Sequence, residues 1–186
     1  MLSDPDYTVP SVPGAAGGVA WLRASVARFS TGAAHERRRA LAVAELAAVE
    51  PSDLRELARL RRSSPVAVLA EALGLPVVAA DVELVAGSYQ PHTVITDEAD
   101  EAMARLVGAC GGYDEATANR IGLLVQACVA TANLVAGVHP PVATTRRVGP
   151  DGSLVEIDLT DHPFGLGVHA CPGERHALAI AEGLVR

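Results

Sequence analysis

The 186 residues are 49% apolar and only 3% aromatic, with a formal charge of -7 and a pI near 5.3. This is the composition of one globular domain with a mainly aliphatic core; it excludes a disordered tail and a basic nucleic-acid-binding stripe, since the arginines cluster locally. Cys110, Cys128 and Cys171 fall at spacings that give neither a disulfide framework nor a paired CxxC metal signature, and the first fourteen residues lack the pattern of a secretory signal. The expectation is a cytoplasmic protein without a membrane segment.

Taken in chain order, a Pro/Gly-rich leader to Gly18 precedes a single domain over residues 19–186 that opens with a short helix around Val19 to Arg28. A helix from about Ala34 to Val49 follows, and Pro51 and Ser52 start another that carries Leu54, Leu57 and Ala58 on one side. Val66, Leu69, Ala70 and Leu73 recur at helical spacing until Gly74 and Pro76 stop the run, and residues 77–95 are left unassigned. Thr96 caps a stretch bearing Ala99, Met103, Leu106 and Cys110, ended by Gly111 and Gly112; Asp114 caps a long apolar helix running to Gly137. That run is interrupted by Gln126, Thr131 and Asn133 and falls short of the ~20 residues that span a bilayer, so it reads as a buried helix. Only VGPDGSLVEIDL, with its Asp-Gly turn, reads as a hairpin. The fold class is therefore mostly α, a compact single-domain helical fold with at most a small β-hairpin.

Chemistry concentrates near the end, in HPFGLGVHACPGERHALA, His162 to Ala179. Pro172 favours the first helical position, which makes Cys171 the cap of an alanine-rich helix. Unpaired amides and the positive end of the helix dipole then favour its thiolate, as an iron ligand or a nucleophile. Gly165, Gly167 and Gly173 leave room for a flat group close to the sulfur. A buried structural cysteine and a zinc site of His162, His169, Cys171 and His176 are the alternatives, the latter lacking a second ligand pair. Upstream, His35 and Arg39 share a helix face with Val43, Leu46 and Val49, so two polar heads point inward where a buried anion would satisfy them. Arg37 and Arg38 are expected to face water.

The pattern Phe164-Gly165-x-Gly167-x-His169-x-Cys171-x-Gly173 resembles the haem-binding loop of the cytochrome P-450 superfamily, the haem-thiolate monooxygenases. The pair His35 and Arg39 resembles the family's H-x-x-x-R, and similarity extends to SSPVAVLAEALGLP and PPVATTRRV. The resemblance implies haem b as cofactor, Cys171 as the proximal iron ligand, Phe164 packed near it, and His169, His35, Arg39 and Arg147 on the propionates. It also implies a small-molecule substrate and a redox partner or partner enzyme, with no role for nucleic acid or membrane.

The chain departs from the family in three places. The Glu-x-x-Arg pair has no counterpart after the long apolar helix, since Glu36-Arg39 and Glu56-Arg59 both precede it. The family's carboxy-terminal hairpin is missing. In the apolar helix, Val129 and Ala130 stand where the family places an acid and an alcohol, leaving Thr131 alone as a candidate catalytic hydroxyl. A carboxyl restored at position 129 is expected to suffer desolvation. Peroxide-driven oxidation, dehydration or rearrangement asks less of the missing residues than dioxygen chemistry. Three function classes remain open: a compact haem-thiolate oxidoreductase, a non-catalytic auxiliary of a partner enzyme, and a haem sensor or carrier.

Overall fold

Side-chain caps written in the sequence set three of the helix starts in the computed structural model, which describes residues 1–185. Ser64 accepts from the Ala67 amide (3.3 Å) to open α4 (Pro65–Ala72), and Thr96 accepts from Ala99 (3.2 Å) to open α6 (Asp97–Cys110). Asp114 accepts from Thr117 (2.8 Å) at the head of α7 (Glu115–Val135), and Pro51 starts α3 (Pro51–Arg61). Three further helices, α1 (Gly18–Ser25), α2 (Gly32–Ala47) and α8 (Glu174–Leu184), complete the expected set. A hairpin of β1 (Thr144–Val148) and β2 (Leu154–Asp158) pairs Thr144 with Asp158 and Val148 with Leu154, and turns through Gly152 at a φ of +80°. The fold is mostly α with one small antiparallel sheet, as the sequence pattern implies.

Three features depend on contacts between distant parts of the chain. A further helix, α5 (Ala79–Gly87), fills part of the unassigned stretch; it has no side-chain cap, and it is held by Val82 and Val85, both fully buried and packed toward α6 and α7. The cap of α1 comes from 81 residues away, where Asp100 accepts from the Val19 amide at 2.8 Å. The leader is folded onto the domain: Thr8 and Val148 exchange hydrogen bonds of 3.0 and 2.8 Å, and Val9 is buried.

The core gathers around α7, which touches α1, α2, α4, α5, α6 and α8. Leu22, Leu54, Met103, Leu106, Ile121, Leu124 and Ile180 are fully enclosed there. Only the first half of α7 is buried as expected; from Gln126 onward it forms the wall of a cavity. By length and composition this helix is apolar enough to cross a bilayer, with 39% of its apolar window buried in the fold. Behind the cavity, α8 lies directly on α3, because Gly183 has no Cβ; one added there would sit 2.7 Å from the Ala58 Cβ and against the Arg55 carbonyl.

Ion pairs fix α2 against α7. Glu115 accepts from Arg37 (2.7 and 2.8 Å) and from Arg38 (2.8 Å), and Arg120 pairs with Glu45 at 2.6 Å. Arg38 is thus not a free solvated cation; it also donates to Ser30. Hydrogen bonds from Arg37, reinforced by those from Arg38, hold the Glu115 carboxyl down at about 2. A depressed carboxylate stabilises the fold above the ordinary carboxylate range, and that contribution is lost as the pH falls toward 2. Glu115→Gln should therefore cost about 1 kcal/mol near pH 7. The gap from the parent should close on acidification, as read by urea unfolding across a pH series.

Candidate functional site

A cavity of about 720 Å³ opens between α2, the second half of α7, the hairpin and the segment that joins β2 to α8. Its apolar wall comes from Ala42 and Leu46 of α2, Ala127, Ala130 and Leu134 of α7, and Ile180 of α8. On α2 the inward stripe is His35, Arg39, Ala42 and Leu46, one residue every turn; Val43, expected in that stripe, is 45% exposed.

The loop of Phe164 to Gly173 forms the floor. Gly165 donates to the His162 carbonyl (2.8 Å), Ala170 to Gly167 (3.1 Å) and Cys171 to Phe164 (2.7 Å), with Gly165 and Gly167 at φ of +75° and +72°. Most L-residues avoid that region, which is why the loop can turn so sharply. Phe164, Gly165, His169, Cys171 and Gly173 all line the cavity. Gly167 does not; its open side is taken by the backbone of Leu2 and Ser3, at 3.1 to 3.3 Å from a Cβ built there. Its glycine serves the turn and the leader rather than the cavity.

Two expectations for Cys171 are revised. Helix α8 begins at Glu174 with Gly173 at its cap, so Cys171 precedes the helix instead of capping it. The thiol is also not driven toward thiolate. Although Cys171 is exposed to the cavity, the surrounding loop crowds its sulfur, and this desolvation pushes the thiol up; the Gly173 amide, Arg39 and Arg28 pull it down by less.

One contact ties this loop to α2, and a second ties the start of α8 to the end of α2. Arg39 donates to the Ala170 carbonyl at 2.7 Å, immediately before the cysteine, and His176 Nε2 donates to the carbonyls of Leu46 and Val49, each at 3.0 Å. Neither Glu-x-x-Arg spacing does this work: Glu56 and Arg59 form an exposed pair at 3.9 Å on α3, and Arg39 turns away from Glu36.

Positive charge dominates one end of the cavity. His35 is 5% exposed and its ring lies 4.2 Å from that of His169. Burial first, then His35 and the arginines, hold His169 down at about 4, and burial with Arg39 lowers His35, so both rings are neutral at pH 7. The charge rests on Arg39, Arg147 and Arg28. Arg147 is 6% exposed, hydrogen-bonded to Thr145 Oγ1 (3.1 Å) and the Arg146 carbonyl (2.9 Å), with its Nε buried and unpartnered. Arg28, whose role the sequence did not mark, lines the same wall from the 3-10 turn Ala27–Phe29, and its Nε is likewise unpartnered. The one acid among the described wall residues, Glu156, faces Arg146 at 3.4 Å. One buried and two half-buried cations without a carboxylate partner call for an anionic ligand.

On α7, Thr131 is fully buried with an unpartnered hydroxyl, Ala130 faces the cavity and Val129 is 57% exposed. Cys128 packs against the core and burial raises its thiol, while Cys110 is buried in α6. Among the described residues no cluster of three or more His, Cys, Asp or Glu side chains is placed to chelate a metal, so His162, His169, Cys171 and His176 do not form a zinc site.

The expected site residues His35, Arg39, Arg147, Phe164, Gly165, His169, Cys171 and Gly173 are thus brought to one cavity, with Thr131 on its α7 wall. Comparison with family models, with curated proteins and with solved structures finds no match for this chain.

The two arginines that flank the cavity should respond oppositely to neutral replacement in the ligand-free chain. Arg39→Met leaves the Ala170 carbonyl without its donor and should lower stability by about 1–2 kcal/mol. Arg147→Met removes a buried charge that has no carboxylate partner and should raise stability by about 1 kcal/mol or more. Thermal unfolding at pH 7 in a buffer free of multivalent anions reads both signs.

Proposed function

We propose that this chain is a compact haem-thiolate protein, similar to the cytochrome P-450 superfamily, that acts as an oxidoreductase on a small organic substrate. The observation that carries the reading is the juxtaposition, in one apolar-walled cavity, of an accessible thiol at Cys171 and a carboxylate-poor group of basic side chains. The fit is chemical: a b-type haem has an apolar macrocycle, two carboxylates and an iron that accepts a thiolate. The cavity has an apolar wall, unpartnered guanidinium nitrogens on Arg28 and Arg147, and one sulfur. In this reading Cys171 would ligate the iron, and His35, Arg39, Arg147 and His169 would receive the propionates.

Haem so bound would supply redox chemistry at an iron made electron-rich by the thiolate. The chain's own part is to hold, orient and exclude. Arg39 fixes the cysteine loop to α2 and His176 fixes the start of α8 beside it, so both ends of the segment that carries the sulfur are held. Ala127, Ala130 and Leu134 give the α7 wall an apolar surface that admits a small organic molecule. That wall presents no carboxyl; protons needed there come from water entering the open cavity or from the substrate itself. Peroxides and already oxidised substrates are therefore the favoured oxidants. The absence of an acid at position 129 is also what a non-catalytic auxiliary or a haem carrier would show, and turnover separates these readings.

Reconstitution with ferric haemin tests the proximal assignment. Cys171→Ala should abolish the reduced carbon monoxide band that thiolate ligation produces, and His35→Ala with Arg39→Ala should weaken haem retention by roughly 10-fold or more. Haem content and band unchanged in Cys171→Ala would reject the reading.

For the oxidant, the haem-loaded protein should oxidise a reporter dye with hydrogen peroxide far faster than with dioxygen and a reductant. Val129→Glu with Ala130→Thr should raise the dioxygen-coupled rate by about 10-fold or more. Because position 129 is 57% exposed, the new carboxylate stays solvated, contrary to the desolvation expected from sequence. Efficient dioxygen turnover by the unmodified chain would overturn the argument.

A further inference from the structure

Arg28 differs from the other arginines of the cavity in having nothing to do within the protein. Arg39 is engaged by the Ala170 carbonyl, Arg146 by Glu156, and Arg147 by Thr145 and the Arg146 carbonyl. Among the described residues Arg28 makes no hydrogen bond and no ion pair; its one specific contact is with the Phe29 ring, whose centroid lies 5.8 Å from the guanidinium carbon. A guanidinium has five donors in a planar fork, so a partly buried one left unengaged is costly unless a ligand takes it up.

A second orphan lies against the same wall. Tyr89, 3% exposed, packs its ring on Phe29 at 5.2 Å between centroids, and its hydroxyl is buried without a partner. Burial holds that hydroxyl well above its usual range, so it is a neutral donor, and Arg28 is close enough to act on it electrostatically. Its position is fixed from behind. The buried Arg23 donates to the Ser88 carbonyl (2.5 Å), the Tyr89 carbonyl (3.1 Å) and the Thr93 carbonyl (2.9 Å), so the turn carrying Tyr89 cannot swing away to satisfy the hydroxyl in water. Two unmet donors beside an apolar cavity match one chemistry: an acid group with at least two acceptor oxygens, carried on an apolar body.

We propose that Arg28, supported by the Tyr89 hydroxyl, is a principal anchor for an acid group of the cavity's ligand, in addition to the His35–Arg39 pair on α2. The identity of that acid as a haem propionate rests on the reading given above; the anchor itself rests on the two orphaned donors. Specificity follows, because an esterified acid offers Arg28 only a neutral acceptor, without the charge or the second oxygen that a bidentate pair needs.

The test compares ferric haemin with its dimethyl ester, by titration of the unmodified chain, Arg28→Met and Tyr89→Phe. Arg28→Met should weaken haemin binding by roughly 10-fold or more and Tyr89→Phe by about 3-fold, with the ester changed by less than about 2-fold in either. Both variants should also unfold at higher temperature than the parent when ligand-free, because each removes an unmet donor. If Arg28→Met does not fold, Arg28→Lys, which keeps the charge and loses the fork, should still weaken haemin selectively over the ester. Equal losses for acid and ester, or no loss with haemin, overturn the proposal. A haem-independent probe, the aromatic sulfonate 8-anilinonaphthalene-1-sulfonate, separates the two readings. If the unmodified chain takes up no haemin, the haem reading fails alone. The anchor then stands if Arg28→Met weakens the sulfonate's fluorescence enhancement, and falls if it does not.

Discussion

Positive charge gathered at one end of a cavity whose one lining carboxylate already pairs with Arg146 is the constraint to which the site's other features answer. Desolvating an ion costs on the order of several kcal/mol, and a protein of this size has little stability to spare. The fold limits that cost in three ways. It keeps His35 and His169 neutral, their ring centroids 4.2 Å apart, so two potential cations add no charge. It gives Arg39 and Arg147 backbone carbonyls as partial partners. It leaves Arg28 and part of Arg147 unmet, which is where an anionic ligand would stabilise the chain. A site destabilised alone and relieved by its ligand is a common form of functional strain.

The placement of the cysteine depends on the same arginines. In the resembling family the loop is backed by a Glu-x-x-Arg pair, which this chain lacks in the corresponding place. Here Arg39 reaches across from α2 to the carbonyl before Cys171, while His176 ties the start of α8 to the end of α2. Below, Gly183 lets α8 press on α3 with no side chain between. A loop with two glycines at positive φ is pinned to α2 at the Ala170 carbonyl, and the helix that follows it is held to α2 and α3. Arg39 thus faces both ways, holding the loop and lining the anion end.

Helix α7 divides by environment rather than by composition. Its first half, with Ile121, Leu124 and Val125 buried, is a core element wrapped by six other helices. Its second half is equally apolar but faces the cavity, and there the small side chains of Ala127 and Ala130 are what make room. Val129 lies at the cavity's open rim, lining it while 57% exposed. The wall is therefore shaped for an apolar molecule and is poor in proton donors, a combination that favours substrates bringing their own reactive oxygen.

Much of this was legible in the sequence because it is set locally. Ser64, Thr96 and Asp114 cap helices with their own side chains, Pro51 and Pro65 fix first turns, and the Asp-Gly turn with its flanking alternation defines the hairpin; none of these needs a distant partner. The thiol loop and the His35–Arg39 face were legible for the same reason, being short patterns of fixed spacing. What the sequence could not specify depends on residues far apart in the chain. Helix α5 has no cap and exists because Val82 and Val85 bury against α6 and α7; α1 is capped by Asp100, and the leader is paired at Thr8 to Val148. The state of the Cys171 thiol follows from desolvation at the cavity floor, which outweighs the Gly173 amide beside it. Arg28 and Tyr89 belong to no motif and lie 61 residues apart; only the packing of the 3-10 turn against the turn after α5 makes them neighbours, and only burial turns two ordinary polar side chains into unmet donors.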